Sequence, residues 1–102
     1  WETQEQVFFS HLNPATLKYS EPISPPGAAR KRKHPWLATN SGNETILTWT
    51  ENTGWAKGGD LAWQIFDKAD KPKGKQGRVE AIAAWSFGVA YARPDGGFAI
   101  IY

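Results

Sequence analysis

Two stretches of the sequence match each other as strand, turn and strand, and this internal repeat constrains the fold more than any other feature. The segment "WLATNSGNETILTW" (36–49) lies over "VAYARPDGGFAIIY" (89–102) at an offset of 53 residues, which sets Trp49 over Tyr102. The two segments share few identical residues, but each places a polar, Gly-containing turn between two apolar runs. This pattern is typical of a β-hairpin. We therefore expect two equivalent hairpins.

A second pair of segments repeats at nearly the same distance. The segment "VFFSHLNPAT" (7–16) lies over "LAWQIFDKAD" (61–70), which sets Phe9 over Trp63, and this offset is longer than the first by a single position. Self-similarity at a nearly fixed distance of this size is the signature of a repeat architecture. The sequence therefore predicts a structural unit that recurs about every 53 residues.

Turn signals divide the chain into short strands. They are "NPAT", "NSGNE", "DKADKPKG" and "RPDGG", and the runs between them are rich in Trp, Phe, Ile, Val and Thr. No segment shows sustained helical periodicity. The sequence therefore predicts an all-β chain with eight strands, at residues 6–12, 19–23, 35–39, 45–51, 61–67, 78–82, 87–92 and 98–102.

A repeat of this length built from four strands is typical of a β-propeller blade. With the strands of a blade lettered A to D from the axis outward, residues 1–33 supply strands C and D of one blade. Residues 34–83 supply a full blade, and residues 84–102 supply strands A and B of a further blade. Two blade equivalents with half-blades at both termini cannot bury a propeller core alone. We expect other copies of the chain, or the remainder of a longer propeller, to complete it.

Two segments also resemble a known family. The run "RKHPWLATNSGNETILTWTENTGWAKGGDLAWQIFDKADKP", followed by "ARPDGGFAIIY", resembles the C-terminal blades of bacterial sialidase-like six-bladed propeller proteins, many of them of unassigned function. The resemblance covers most of the chain and implies a propeller architecture. Sialidases proper carry aspartate boxes of the form S-x-D-x-G-x-x-W, and this sequence has none. Nothing in it matches their arginine triad or their Tyr and Glu nucleophile pair either.

Composition excludes several classes of protein. The 102 residues are 40% hydrophobic and 22% charged, which is typical of one globular domain, and no apolar run approaches the length of a membrane span. The absence of cysteine excludes disulfides and thiolate metal sites. A net charge of +2 makes nucleic acid an unfavoured partner. The chain contains no methionine, so we expect it to be part of something longer, with an extracellular or periplasmic location favoured.

The tryptophans divide into two groups. Alternation along the strands places Trp49 and Trp63 on strand faces, where we expect them to pack between strands and between blades. Trp36 and Trp85 stand at the beginnings of predicted strands, and we expect both to be core residues as well. The sequence thus predicts that most of its six tryptophans build the core.

Trp55 differs because it lies in "ENTGWAKGG", a loop with glycines on both sides. One interpretation is a hydrophobic plug that closes the end of a blade. The other is an aromatic platform for a sugar or another flat ligand, with Glu51, Asn52 and Lys57 as polar partners. Both interpretations stay open at the level of sequence.

Four consecutive positive charges stand in "ARKRKH", at Arg30, Lys31, Arg32 and Lys33. They form either a solvated linker between blades or an anion-binding site for phosphate or sulfate groups. The two histidines, at positions 11 and 34, are too isolated to predict a metal site. No catalytic pair stands at a recognisable spacing, and nothing points to a cofactor.

The sequence leaves three functions open. The favoured one is a non-catalytic structural or ligand-binding portion of a sialidase-like propeller. A second is a carbohydrate-binding, lectin-like module centred on Trp55. A third is a fragment of a glycoside hydrolase whose catalytic residues lie elsewhere.

Overall fold

The computed structural model describes residues 6–27 and 31–102, and that part of the chain is all-β, as predicted. Its strands form three antiparallel sheets of two, four and two strands, and it contains no helix. The strands are β1 (Leu12–Asn13), β2 (Lys18–Tyr19), β3 (Arg32–Thr39), β4 (Thr45–Glu51), β5 (Asp60–Phe66), β6 (Pro72–Val79), β7 (Val89–Ala92) and β8 (Phe98–Ile101).

The central sheet is a meander in which β3, β4, β5 and β6 each pair with the next strand along the chain. Every residue of β4 is buried, because this strand has a neighbour on each side and a covered surface on each face. Its Thr and Ile residues suit such a position, since β-branched side chains pack well on a pleated surface. The outer strand β6 is largely exposed, as an edge strand should be.

The internal repeat is present in the strand register. Each residue pair of the β7–β8 ladder corresponds to a pair of the β3–β4 ladder at the offset of 53; Leu37 opposite Leu47, for example, becomes Ala90 opposite Ile100. The two hairpins are therefore equivalent residue by residue, as the sequence alignment predicted.

The turns of these two hairpins also agree. The Asn40 N–H donates to the Glu44 carbonyl at 3.0 Å, and the Arg93 N–H donates to the Gly97 carbonyl at 2.8 Å. These donors and acceptors are related by the same offset of 53. The two turns thus close by the same backbone bond although only one of them begins with Asn.

The second repeat is present as well. Phe9 pairs with Ile23 in an isolated antiparallel bridge, and Trp63 pairs with Gly77 in the β5–β6 ladder. The offset that sets Phe9 over Trp63 also sets Ile23 over Gly77, so the two pairs correspond. Nearer the turn the registers differ by one residue, because Leu12 lies opposite Tyr19 whereas its equivalent, Phe66, lies opposite Pro72 and not Lys73. The N-terminal hairpin (residues 7–23) is therefore the counterpart of the β5–β6 hairpin around Phe9 and not along its whole length.

The predicted boundaries of β4, β5, β7 and β8 agree with the structure to within two residues. The strands predicted at 6–12 and 19–23 are wrong in extent, because regular pairing there is limited to β1, β2 and the bridge at Phe9. A short two-stranded ribbon with no further neighbour has few ladder bonds to hold it in register.

The strand predicted at 78–82 is also wrong, since β6 begins at Pro72 and ends at Val79. The Lys, Pro and Gly residues of "DKADKPKG" read as one long turn. In the structure the turn closes early, because the Asp67 carboxylate accepts hydrogen bonds from the Ala69 and Lys71 N–H groups. Pro72 can then open an edge strand, where its missing N–H costs nothing.

One face of the central sheet is covered by the N-terminal hairpin. Leu47, Trp49, Ala62 and Phe66 on this face form the main hydrophobic cluster with Val7 and Phe9 from the hairpin. The Phe9 and Phe66 rings meet edge to face with centroids 5.1 Å apart. Such geometry adds stabilisation beyond area burial.

The other face is covered by the β7–β8 hairpin. The Trp36 indole N–H donates to the Ala90 carbonyl at 2.9 Å, and the Thr48 hydroxyl donates to the Gly88 carbonyl at 3.0 Å. Gly88 has no room for a side chain, because an added Cβ would lie 2.5 Å from Leu61 Cδ1. The central sheet is therefore enclosed between two hairpins.

The tryptophans follow the prediction only in part. Trp49 is 0% exposed, so its core position is confirmed, and Trp63 is half-buried over Gly77. The core positions predicted for Trp36 and Trp85 are wrong, because their exposed fractions are 44% and 71%. Trp36 lies on the edge strand β3, and Trp85 lies in the loop before β7.

A buried carboxylate lies at one end of the central sheet. Glu51 is 1% exposed, and its two oxygens accept hydrogen bonds from Trp49 Nε1 at 2.8 Å and Arg78 Nη1 at 2.7 Å. Burial raises the pKa of Glu51, but these two hydrogen bonds and the charges of Arg78 and Arg32 outweigh it, so the pKa lies below its ordinary value. The hydrogen bond to Glu51 in turn raises the pKa of Arg78.

Arg32 joins these residues from β3. We call Arg32, Trp49, Glu51 and Arg78 the arginine cluster. Its Nε atom lies 3.6 Å from Glu51 Oε1, and its guanidinium carbon lies 5.0 Å from the Trp49 ring centroid. Its two terminal nitrogens donate to the carbonyls of Pro25 at 2.9 Å and Pro26 at 2.7 Å. Arg32 therefore ties the segment before β3 to the buried carboxylate.

We expect the Trp49→Ala substitution to lower the free energy of unfolding by about 3–5 kcal/mol, the usual cost of truncating a fully buried large aromatic side chain. Trp55→Ala, at a side chain that is 90% exposed, is the control and should change it by no more than about 0.5 kcal/mol, as is usual at the surface. Urea denaturation measures both. Equal losses in the two variants would contradict the assignment of Trp49 to the core.

We expect stability to depend on the charge of Glu51. A carboxyl with a lowered pKa in the folded state contributes stability that is present above its unfolded pKa of about 4.3. That stability is lost as the pH falls through the folded value, so unfolding should become easier below about pH 4. Glu51→Gln should flatten this dependence, whereas Asp95→Asn, in an exposed turn, should not. Denaturation curves between pH 2 and 7 measure the slopes, and equal slopes in wild type and Glu51→Gln would contradict the assignment.

Candidate functional site

Two loops leave the same end of the central sheet, and each carries an exposed tryptophan. Successive strands of the meander run in opposite directions, so the β4–β5 loop (52–59) and the β6–β7 loop (80–88) emerge together, opposite the hairpin turns. Trp55 in the first loop is 90% exposed, and Trp85 in the second is 71% exposed. Exposed indoles on neighbouring loops are uncommon unless they meet a ligand or another surface.

Trp55 stands at the tip of a closed turn. Gly54 and Lys57 exchange two backbone hydrogen bonds, of 3.1 and 3.0 Å, with Trp55 and Ala56 between them. Ala56 has a φ of 54°, at the third turn position, where a type II turn normally takes Gly. The indole is therefore held out into solvent by a hydrogen-bonded turn.

Trp85 has a strained backbone. Its φ is 66°, in the left-handed region that bulky side chains rarely adopt. The turn is closed by a hydrogen bond of 3.1 Å from the Ser86 N–H to the Ala83 carbonyl. Strain of this kind costs about 1–3 kcal/mol and is concentrated at binding and active sites. The backbone of Trp85 thus marks it as a candidate functional residue.

Glycines lock the two loops together. A Cβ on Gly58 would lie 2.2 Å from the Ala83 carbonyl oxygen and 2.3 Å from that of Ile82. The next residue, Gly59, accepts a hydrogen bond of 3.0 Å from the Ile82 N–H. Only a residue without a side chain permits this backbone approach. As a result the Trp55 and Trp85 rings meet nearly at right angles, at 85°, with centroids 5.4 Å apart.

The loops and the start of β3 enclose an open groove of about 490 Å³. We call it the aromatic groove. Its ring-bearing residues are His34, Trp55, Trp85 and Phe87, and its polar residues are Lys33, Thr53, Lys57 and Ser86. No carboxylate is among these described lining residues. The groove therefore combines exposed rings with two lysine cations at its wall.

His34 is fixed in the groove wall by its position at a bulge. The β3–β4 register shifts between Lys33 and Trp36, and His34 has a φ of 53°. Its Nδ1 atom lies 2.7 Å from Thr50 Oγ1, and its ring lies 6.1 Å from that of Phe87. The bulge thus turns the imidazole toward the aromatic loops, as bulges often re-aim side chains.

The structure separates the residues predicted to act with Trp55. Lys57 lines the aromatic groove with it, whereas Asn52 and Glu51 do not. Asn52 is exposed beside the loop, and its N–H donates to the Lys31 carbonyl at 3.1 Å. The prediction is wrong for Glu51, because its carboxylate is buried in the arginine cluster and presents no oxygen to a ligand.

The predicted anion-binding run is also divided. Arg30 lies outside the described residues, and Lys31 is exposed. Arg32 is buried and bound to Glu51 and to proline carbonyls, so the prediction of an anion-binding or solvated side chain is wrong for it. Lys33 lines the aromatic groove. Of the run, Arg32 and Lys33 begin β3, and Lys31 directly precedes it.

Sequence reasoning missed His34, Trp85 and Phe87 as residues of the site. Aromatic residues before a strand read as core when only the strand pattern is considered. A signal was nevertheless present in "AIAAWSFG", where apolar and polar residues do not alternate. A run of this kind between two strands is better explained as a loop that presents its rings.

Other kinds of site find no support in the described residues. Within them, no group of three or more His, Cys, Asp or Glu side chains is placed to hold a metal ion. No helix in the described chain is long and apolar enough to cross a membrane. No family model, no curated protein and no solved structure matches the chain.

We expect Gly58→Ala to separate the two aromatic loops, because its Cβ would collide with two backbone carbonyl oxygens. Gly42→Ala is the control, since a Cβ there meets its nearest atom at an ordinary 3.5 Å. Near-ultraviolet circular dichroism, which is sensitive to coupled indoles, should change in Gly58→Ala and stay unchanged in Gly42→Ala. An unchanged spectrum in both variants would contradict the proposed locking of the loops.

Proposed function

We propose that this chain is a non-catalytic portion of a sialidase-like β-propeller, completed by further strands, and that it binds a carbohydrate in the aromatic groove. The observation that carries the binding part is the pair of exposed indoles, Trp55 and Trp85, held at right angles by interlocked loops.

The propeller part is supported by the order of strands. Sheets of two, four and two strands follow one another along the chain, as expected of half a blade, a blade and half a blade. The two repeat offsets relate the outer hairpins to the two halves of the central sheet. A repeat in both sequence and register indicates one structural unit used several times.

The packing between sheets supports it further, because one interface occurs twice. Phe9 of the N-terminal hairpin packs in a cluster with Leu47 of the central sheet. The residues that correspond to these two, Trp63 and Ile100, line one groove between the central sheet and the β7–β8 hairpin. Successive units thus meet through equivalent faces, as successive blades of a propeller do.

A carbohydrate is the ligand that best suits the aromatic groove. Sugar rings present flat C–H faces that stack on indoles, and hydroxyl groups that need donors and acceptors at the edge of the site. Thr53, Lys57 and Ser86 supply such groups beside the rings. Hydrolysis of a glycosidic bond would need two carboxyl groups across the ligand, and the groove is lined by none. The groove therefore supports binding better than turnover.

Glycan-array binding tests this function. Trp55→Ala and Trp85→Ala should each weaken binding about tenfold or more, which corresponds to about 1.4 kcal/mol of lost contact with the ligand. The stability of Trp55→Ala should change by less than about 0.5 kcal/mol, as at other exposed sites. Tyr19→Ala, an exposed aromatic on β2 outside the groove, is the matched control and should bind like wild type. Equal signals from all variants, or none from any, would overturn the carbohydrate assignment.

A further inference from the structure

The first and last hairpins are each two-stranded, and both edges of each are unpaired among the described residues. By the repeat, the edges that correspond to the β4–β5 ladder of the central sheet are those of β8 and of residues 8–12. β8 pairs only with β7, so its outer edge, from Phe98 to Ile101, faces no strand among the described residues. Residues 8–12 pair only toward residues 19–23. Unpaired edges of this kind recruit another strand.

We propose that these two edges pair with each other between copies of the chain, so that β7 and β8 of one copy and the N-terminal hairpin of a second copy form one four-stranded blade. This inference rests on the proposed propeller. It adds which strand pairs with β8, namely residues 8–12 of a second copy, and the register of that pairing.

The register follows from the central sheet, where β4 pairs with β5 in the corresponding place. Leu47 lies opposite Gln64 there. Ile100 corresponds to Leu47 at the first repeat offset, and Ser10 corresponds to Gln64 at the second, so we expect Ile100 to lie opposite Ser10. In the same way, Thr48 opposite Trp63 becomes Ile101 opposite Phe9.

The faces of the two half-blades also fit. Tyr91 and Ile101 lie on the face of the β7–β8 hairpin that points away from the central sheet, and both are largely exposed. In the proposed blade this face packs on the central sheet of the second copy, which has an apolar groove of about 380 Å³ at the required place. The groove is lined by Phe8, Phe9, Ser10, Pro35, Trp36, Leu37 and Leu47.

The groove lies beside the edge of residues 8–10 and over β3 and β4, where the repeat would place the β7–β8 hairpin of a second copy. The corresponding surface on the opposite face of the same sheet is already covered by a hairpin edge, with the Thr48 hydroxyl bound to the Gly88 carbonyl. Filling the groove from a second copy would cover Leu37, which is exposed in one copy alone. Removing such apolar surface from water would stabilise the assembly of copies.

The contact uses different surfaces on the two copies, so it joins them head to tail and closes into a ring when the rotation allows it. Propellers contain about four to eight blades. The described residues of each copy supply eight strands, or two blades of four. We infer a closed ring of two to four copies, which gives four, six or eight blades.

Disulfide trapping tests the pairing and its register. The chain has no cysteine, so Ser10→Cys with Ile100→Cys introduces one defined pair. Directly opposed residues of antiparallel strands lie about 4.5–5.5 Å apart at Cα, within the range of a disulfide. Ser10→Cys with Ala99→Cys is the control, because a shift of one residue turns the side chain to the other face. Mild oxidation should link copies in the first variant and much less in the second, and native mass spectrometry of the wild type should show one closed assembly of two, three or four copies.

Two results would overturn the inference. A folded wild-type chain that stays monomeric at micromolar concentration, with no cross-linking in either double variant, would exclude a second copy as the occupant of the β8 edge. Equal cross-linking in both double variants would exclude the register. Glycan binding by a monomeric chain would show that this inference fails while the proposed ligand site stands. Closed assemblies that bind no glycan on the array would show the reverse.

Discussion

The end of the molecule that carries the aromatic groove depends on the buried carboxylate of Glu51. A carboxylate removed from water is costly unless donors and cations surround it. Trp49, Arg78 and Arg32 meet that need from three strands of the central sheet. Because Arg32 also binds the proline carbonyls before β3, the cluster fixes the strand ends from which both aromatic loops leave. Removing one partner would leave the remaining charges uncompensated at the base of the aromatic groove.

The strand order could be predicted from the sequence because the turns are determined locally. In each of three turns a side-chain oxygen accepts a hydrogen bond from an N–H group of the same turn, at Asn40, Asp67 and Asp95. Asn and Asp are typical of turns for this reason, so their positions in the sequence predict the turns. The ends of β6 and the extent of the N-terminal strands could not be predicted so well. They depend on which strand lies alongside, and that is a property of the assembled sheet and not of any one segment.

The candidate site shows the same division between local and distant causes. The exposure of Trp55 was open to prediction because glycines surround it in its own loop. The place of Trp85 beside Trp55 could not be predicted in this way. It depends on Gly58, which lies in another loop and packs against Ala83. The burial of Glu51 was equally hidden, because its cation Arg78 lies 27 residues away along the chain. From sequence alone, a charged residue is expected to be solvated, because its partner in the fold cannot be identified when it lies far away along the chain.

Backbone strain differs between the two ends of the central sheet. At the hairpin end, Asn43 and Asp70 have a positive φ, and these residue types tolerate it. At the opposite end, which carries the aromatic groove, Ala56 and Trp85 have a positive φ, and these residue types adopt it rarely. Strain persists only where surrounding structure determines the conformation, and here the arginine cluster and the glycine contacts supply that support. Glycine in place of Ala56 or Trp85 would relieve this strain, and binding of the proposed ligand to the exposed rings would account for its retention.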